Sequence, residues 1–255
     1  MLIKYRFFVF SLYGQRVTRG YWEIPYLPAK NPNEALYHAA SLLKDLNEQV
    51  VYVGGRIVGL LITDIVEDDV RPTFDIDVAF DLDTTDIVAH YSLQKKLESL
   101  GFKPEGNINC RYILDDFMID VMYTDGTLQG INSNWYQAGF DNAIEIQIKD
   151  KKIKILNAVY FIATKLEAFT DRAYNKNDYW DCKDLEDIIN VINGRPELLA
   201  ELMDSPKTVI QFISSYLKKL IEDPKWFDSI KAIARHERSR NVVLSTMEKI
   251  IALEY

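Results

Sequence analysis

Cysteine is nearly absent from this chain: two in 255 residues, Cys110 and Cys182, far apart and in no CxxC pattern. That excludes a disulfide framework and a thiolate zinc site, and it fits a reducing cytosol. The three histidines, His38, His90 and His236, follow no spacing that metal ligands use. Long apolar runs are missing too, since no stretch approaches the roughly twenty residues of a membrane helix. FFVFSLYG, after Lys4 and Arg6, is short for a signal peptide and has no small-residue cleavage site before Arg16 and Arg19, so it reads as a strand or packed arm. There is no fixed-period repeat and no low-complexity tract. A formal charge of −8 argues against wholesale wrapping of DNA. The reading is a cytoplasmic protein with no membrane partner.

What remains is an ordinary globular composition, 48% hydrophobic and 27% charged, in a chain long enough for two domains. Positive charge gathers in two places. Lys4, Arg6, Arg16, Arg19 and Lys30 face only Glu23 in the first thirty residues, and Lys149, Lys151, Lys152 and Lys154 form a second spot. Either is a solvated face or a site for an anion.

Periodicity predicts a helix from Asn31-Pro32-Asn33, with Leu36, Ala40, Leu43 and Leu46 on one stripe, then a buried strand over residues 49–53. The strand ends at Gly54-Gly55, and Arg56 to Ile62 reads as a helix. Residues 63–72 read as a polar loop. Phe74 to Phe80 alternates strictly, with Asp75, Asp77 and Ala79 on one face. An amphipathic helix follows over 86–100, capped by Gly101. Two hairpins are expected, 111–114 with 117–123 through Asp115-Asp116, and 143–148 with 152–156 around Lys149-Asp150-Lys151. Beyond residue 156 the pattern is helical, with helices from Asn157 and Lys183 and starts at Pro196, Pro206 and Pro224. The expected domains are therefore an α/β unit over residues 1–156, its first 30 an arm, and a helical unit over 157–255.

The chemistry-bearing residues are acidic. Nine carboxylates crowd between Asp64 and Asp86 against Arg71 alone. Asp75 and Asp77, two apart on a strand, point to one side about 6.6 Å apart, a spacing at which carboxylates share hard divalent cations. A solvated strand face explains them equally well. Asp120 is different. It is the single polar residue in FMIDVM, where an ionised carboxylate costs several kcal/mol unless it is paired or metal-bound. A hydrogen-bonded core acid is the alternative. A third carboxylate beside a DxD pair is what two-metal phosphoryl transfer requires. Glycines at a strand-to-helix turn let backbone N–H groups approach phosphate. Lys165 and Arg172, seven apart, share a helix face about 10 Å long. Asp184 and Asp187 share another, where Asp184 also suits the helix dipole. Arg71 and Thr73 flank the DxD strand. Trp135-Tyr136 reads as aromatic core or as a platform for a base.

VGG, RPTFDIDV and MIDVMYTD, in that order, resemble the nucleotidyltransferase superfamily. TKLEAFTDR, KDLEDIINVINGR and NSNWY resemble its AbiEii/AbiGii toxin-type members, over roughly residues 50–196. The resemblance implies an α+β fold, a nucleotidyltransferase-like mixed β-sheet with flanking helices followed by a C-terminal helical bundle. It implies Mg²⁺ or Mn²⁺ and a nucleoside triphosphate as co-substrate. Asp75, Asp77 and Asp120 would hold the metal and form the catalytic triad. Gly54 and Gly55 would cradle phosphate, Lys165 would contact the triphosphate with Arg172 on the same stripe, and Asp184 would position or activate the acceptor. The implied partners are a tRNA or other RNA acceptor, or a protein, and a cognate antitoxin. The chain departs from the superfamily pattern in its long gap from Gly55 to Asp75 and in Arg56, which either binds phosphate or obstructs it. A small-molecule, antibiotic-type acceptor and a non-catalytic interaction module are the competing readings.

Overall fold

The computed structural model describes residues 32–64, 73, 75–82, 86–106, 110–125, 134–176 and 183–253. The N-terminal arm, residues 65–72 of the acidic loop with Arg71, and Cys182 lie outside the described residues.

Helix α1 (Pro32–Leu43) buries Leu36, Ala39, Ala40 and Leu43, the i, i+3, i+4, i+7 stripe of an amphipathic helix. It leads into β1 (Val50–Val53), where all four residues are buried. Strands β2 (Ile76–Phe80), β3 (Lys103–Pro104), β4 (Arg111–Leu114), β5 (Phe117–Tyr123), β6 (Ile144–Ile148) and β7 (Lys151–Ile155) complete one seven-stranded sheet in the order β3-β4-β5-β2-β1-β7-β6. β1 and β2 lie inside the sheet, which is why they are apolar on both faces apart from Asp77. The sheet is mixed. β2 runs parallel to β5 and β1 parallel to β7, while β1–β2, β3–β4, β4–β5 and β6–β7 are antiparallel.

Both expected hairpins form. Asp115 and Lys149 turn them in the left-handed region, at φ 52° and 54°. Helix α3 (Ile87–Ser99) starts where Asp86 accepts from the Ala89 N–H at 2.9 Å, and it ends at Gly101, φ 97°. The expected helix over 56–62 is shorter. A 3₁₀ turn (Gly55–Ile57) precedes a single turn of α2 (Val58–Leu61), because Gly55 and Gly59 leave too little helix propensity for more.

Short α4 (Tyr136–Asp141) precedes β6. The remaining helices are α5 (Ala158–Arg172), α6 (Lys183–Gly194), α7 (Leu198–Met203), α8 (Lys207–Glu222), α9 (Pro224–Ile233) and α10 (Glu237–Ala252). Asn157 caps α5 through the Tyr160 N–H, and Asp223 caps α9 with Pro224 in its first turn. These helices reach back to the end of α2. The Thr63 and Asp64 N–H groups donate to the Gly194 carbonyl at 2.8 and 3.0 Å, and Arg195 donates to the Leu61 carbonyl at 2.7 Å. The fold is the expected mixed sheet with flanking helices, followed by helices alone. No helix among the described residues is long and apolar enough to cross a membrane.

Candidate functional site

Strand register puts four residues in one row across the sheet. Arg111 on β4 is opposite Asp120 on β5, Asp120 is level with Asp77 on β2, and Asp77 is opposite Val53 on β1. Paired positions on neighbouring strands share a face, so Asp77 and Asp120 lie side by side, with Asp75 just before β2 begins. Burial pushes the Asp77 carboxyl far above the ordinary carboxylate range, to about 7, and the neighbouring Asp120 and Asp75 charges push the same way. Lys165 and Arg172 pull it back.

Asp120 is not left unpaired. Arg111 donates to it through two parallel bonds, Nε to Oδ1 and Nη2 to Oδ2, both 2.8 Å. The same guanidinium stands 3.6 Å from Asp75 Oδ2 and 3.9 Å from Glu105 Oε2. These contacts, the Asp120 bonds first, raise the Arg111 pKa further above its ordinary value. This residue was not singled out from sequence. A two-residue turn at Asp115-Asp116 fixes Leu114 against Phe117, and counting back along the hairpin places Arg111 against Asp120.

The glycine turn abuts the DxD strand. Gly54 has φ 71°, and a Cβ added to it would fall onto Oδ2 of Asp77, well inside contact distance. Two residues 23 apart in sequence thus meet because one lacks a side chain. Arg56, in the turn that follows, is buried. Burial lowers its pKa while the Asp75 and Asp77 charges oppose that, which makes it a counter-ion of the DxD pair.

The second wall comes from α5 and α6. Lys165 Nζ lies 2.7 Å from Asp187 Oδ2 and 3.0 Å from Asp184 Oδ1. Burial pushes its pKa down, but Asp187 and Asp184 outweigh burial and hold it above its ordinary value. Arg172 Nη1 reaches Asp184 Oδ2 at 3.4 Å, with its side chain 68% exposed. Tyr136, at the start of α4, faces the same space. Burial raises its phenol to about 12, and the charges of Asp77, Lys165, Arg172 and Asp184 all act on it. Glu167 of α5 fixes that helix start by accepting from the Asn134 side-chain amide at 2.8 Å and facing the Trp135 backbone N–H. Trp135 itself packs against Tyr160 and Phe212 as core. The Trp135-Tyr136 pair therefore divides, with only Tyr136 at the site.

Asp75, Asp77, Asp120, Gly54, Arg56, Lys165, Arg172 and Asp184 are brought to one region. Gly55 opens the 3₁₀ turn beside them, and Arg111, Asp187 and Tyr136 join them. Among the described residues no three carboxylate, imidazole or thiol side chains converge closely enough to hold an ion as they stand. The donor chemistry of the DxD pair nevertheless suits a hard divalent cation. Both side chains offer carboxylate oxygens, Asp75 is 50% exposed, and like charges repel Asp77. Both Asp120 oxygens accept from Arg111, which would have to share or release them for Asp120 to join an ion.

No protein-family model matches the chain, and no curated protein matches it. Among solved structures, it is similar to an antigenic nucleotidyltransferase-like protein from Paracoccidioides brasiliensis, at 20% identity and a TM-score of 0.49, covering 78% of this chain and 93% of that one. It is also similar to the antibiotic-resistance factor ANT(2'')-Ia, at 13% identity and a TM-score of 0.44, covering 73% of this chain and 91% of that one.

Proposed function

We propose that the protein is a nucleotidyltransferase that moves an NMP group from a nucleoside triphosphate to an acceptor and releases pyrophosphate. One observation carries the reading. Asp77 stands against a glycine turn and within reach of the charges of Lys165 and Arg172 on α5, with Asp75 two residues before it and a third carboxylate level with it. An acidic pair beside a phosphate-accommodating turn and two cations is complementary to a triphosphate carried with a divalent metal.

Asp75 and Asp77 would hold Mg²⁺ or Mn²⁺, which when bound neutralises triphosphate charge and stabilises the attacking and leaving oxygens. The backbone at Gly54 and Gly55 leaves room for phosphate. Lys165, anchored by two carboxylates, offers a fixed positive charge, and exposed Arg172 a movable one. The acceptor oxygen bonds to the α-phosphorus as the bond to the β-phosphate oxygen breaks. The acceptor proton passes to a carboxylate of the cluster, and pyrophosphate departs. Asp184, which touches both Lys165 and Arg172, would orient the acceptor.

RNA, such as a tRNA end, is the acceptor this reading favours. The exposed Lys149 and Lys154 at the β6–β7 hairpin, beside a Lys152 that is paired with Glu145, supply local positive charge in a chain of net charge −8. Cytoplasmic location and a cognate antitoxin belong to the same reading. Incubation with α-labelled NTPs, Mg²⁺ and total tRNA tests it, with aminoglycosides as parallel acceptors. Label is expected in RNA and lost in the Asp75→Asn, Asp77→Asn double variant. Label only on the aminoglycoside would identify a small-molecule enzyme. No label at all, with the double variant unaltered in its cellular phenotype, would leave a non-catalytic module.

A further inference from the structure

We propose that Arg111 is a built-in occupant of the cation site, a positioning residue that a divalent ion must displace and that then turns to the substrate's phosphates. The inference deepens the nucleotidyltransferase reading and rests on it. One guanidinium bonds both oxygens of Asp120 at 2.8 Å and stands 3.6 Å from Asp75, so it touches two of the three carboxylates assigned to metal. Its planar fork neutralises them in the absence of an ion, as a bidentate arginine–carboxylate pair does well. The register holds it there. Arg111 and Asp120 are direct partners in a hairpin whose two-residue turn permits no slip without reversing the faces of both strands.

The consequence is coupling. A divalent ion arriving alone would compete with Arg111 for Asp120 and Asp75 and leave a partly buried guanidinium with Glu105, 3.9 Å away, as its one remaining anion among the described residues. An ion arriving with a triphosphate brings the replacement anion, and Arg111, whose side chain is 19% exposed, has a path to it. Bare cation therefore binds weakly, and NTP strengthens its binding. Triphosphate oxygens are themselves ligands of the ion, so nucleotide strengthens cation binding at any such site, but a purely architectural salt bridge would leave bare-ion affinity unchanged when Arg111 is replaced.

The test is Mn²⁺ binding followed by electron paramagnetic resonance, with and without a non-hydrolysable NTP, on wild type, Arg111→Gln and Arg111→Lys. In wild type, NTP is expected to tighten Mn²⁺ about tenfold or more. Arg111→Gln should bind bare Mn²⁺ about tenfold more tightly than wild type does, and the tightening by nucleotide should shrink by the same factor. Arg111→Lys, which keeps the charge but not the fork, should fall between them, and it carries the test alone if the glutamine variant does not fold. Bare-ion affinity equal to or weaker than wild type in the folded variants would overturn the proposal and leave the cation site standing. Absence of Mn²⁺ binding in every protein even with NTP would overturn the cation site itself, and this proposal with it.

Discussion

Gly54 is under two constraints at once. Its φ of 71° is open to glycine and strained for other residues, and the space a Cβ would need is filled by the Asp77 carboxylate. Gly54→Ala is therefore expected to cost about 1–3 kcal/mol in urea unfolding and to displace Asp77, abolishing NTP turnover even where the protein still folds. Asp77 gives a second prediction. Its folded pKa of about 7 lies above the unfolded carboxylate value, so the native state holds the extra proton. Stability is then highest at low pH and is lost as pH rises through about 7. In protein stripped of metal by chelator, Asp77→Asn should be the more stable form at pH 8, by on the order of 2 kcal/mol, with the gap closing toward pH 4. A gap constant from pH 4 to 8 would contradict the assignment. Asp75, Asp77 and Asp120 were legible because strand alternation and a lone acid in an apolar strand are local signals. That Asp77 and Asp120 lie level was not, since parallel register depends on how two remote segments dock.

At the scale of the element, the seam between α5 and α6 carries a cluster of ion pairs beside its apolar packing. Asp187 has its side chain 1% exposed and lies 2.7 Å from Lys165, whereas Arg172 is 68% exposed. Removing Asp187 leaves the Lys165 ammonium with Asp184 alone, 3.0 Å away, and an exposed pair contributes little. Asp187→Ala is expected to cost about 1.5–3 kcal/mol of unfolding free energy, the worth of one hydrogen bond to a charged group, and Arg172→Ala under about 1 kcal/mol while still weakening nucleotide binding. Chemical denaturation beside isothermal titration with NTP separates the two effects. The helices themselves were readable from period and caps, Asn157 and Asp86 above all. Helix α4 was not. Six residues carry too few turns for a period, and its place depends on Gly139 packing against Leu156 and Tyr160 and on Glu167 reaching across from α5. From sequence Tyr136 reads as core or as a platform for a base, and the docking of α4 brings it under the charges of Asp77 and Lys165.

Across the whole molecule, the buried apolar residues form one cluster that runs from Leu36 to Ile250, through the sheet and the helices alike. The candidate site has the same span, its carboxylates on β2 and β5 and its cations on α5. A ligand that touches both must be released before either can unfold. Heating should therefore give one transition, and Mn²⁺ with a non-hydrolysable NTP should move it as a unit. At a hundredfold excess over Kd the gain is about 2.7 kcal/mol. For a chain of this length that corresponds to a rise in Tm of roughly 5–10 °C. The Asp75→Asn, Asp77→Asn double variant should show the same single transition without the rise. Calorimetry that resolved two transitions, only one of them moved by ligand, would instead place the nucleotide on one part of the structure, and Lys165 and Arg172 would lose their assigned contact with phosphate.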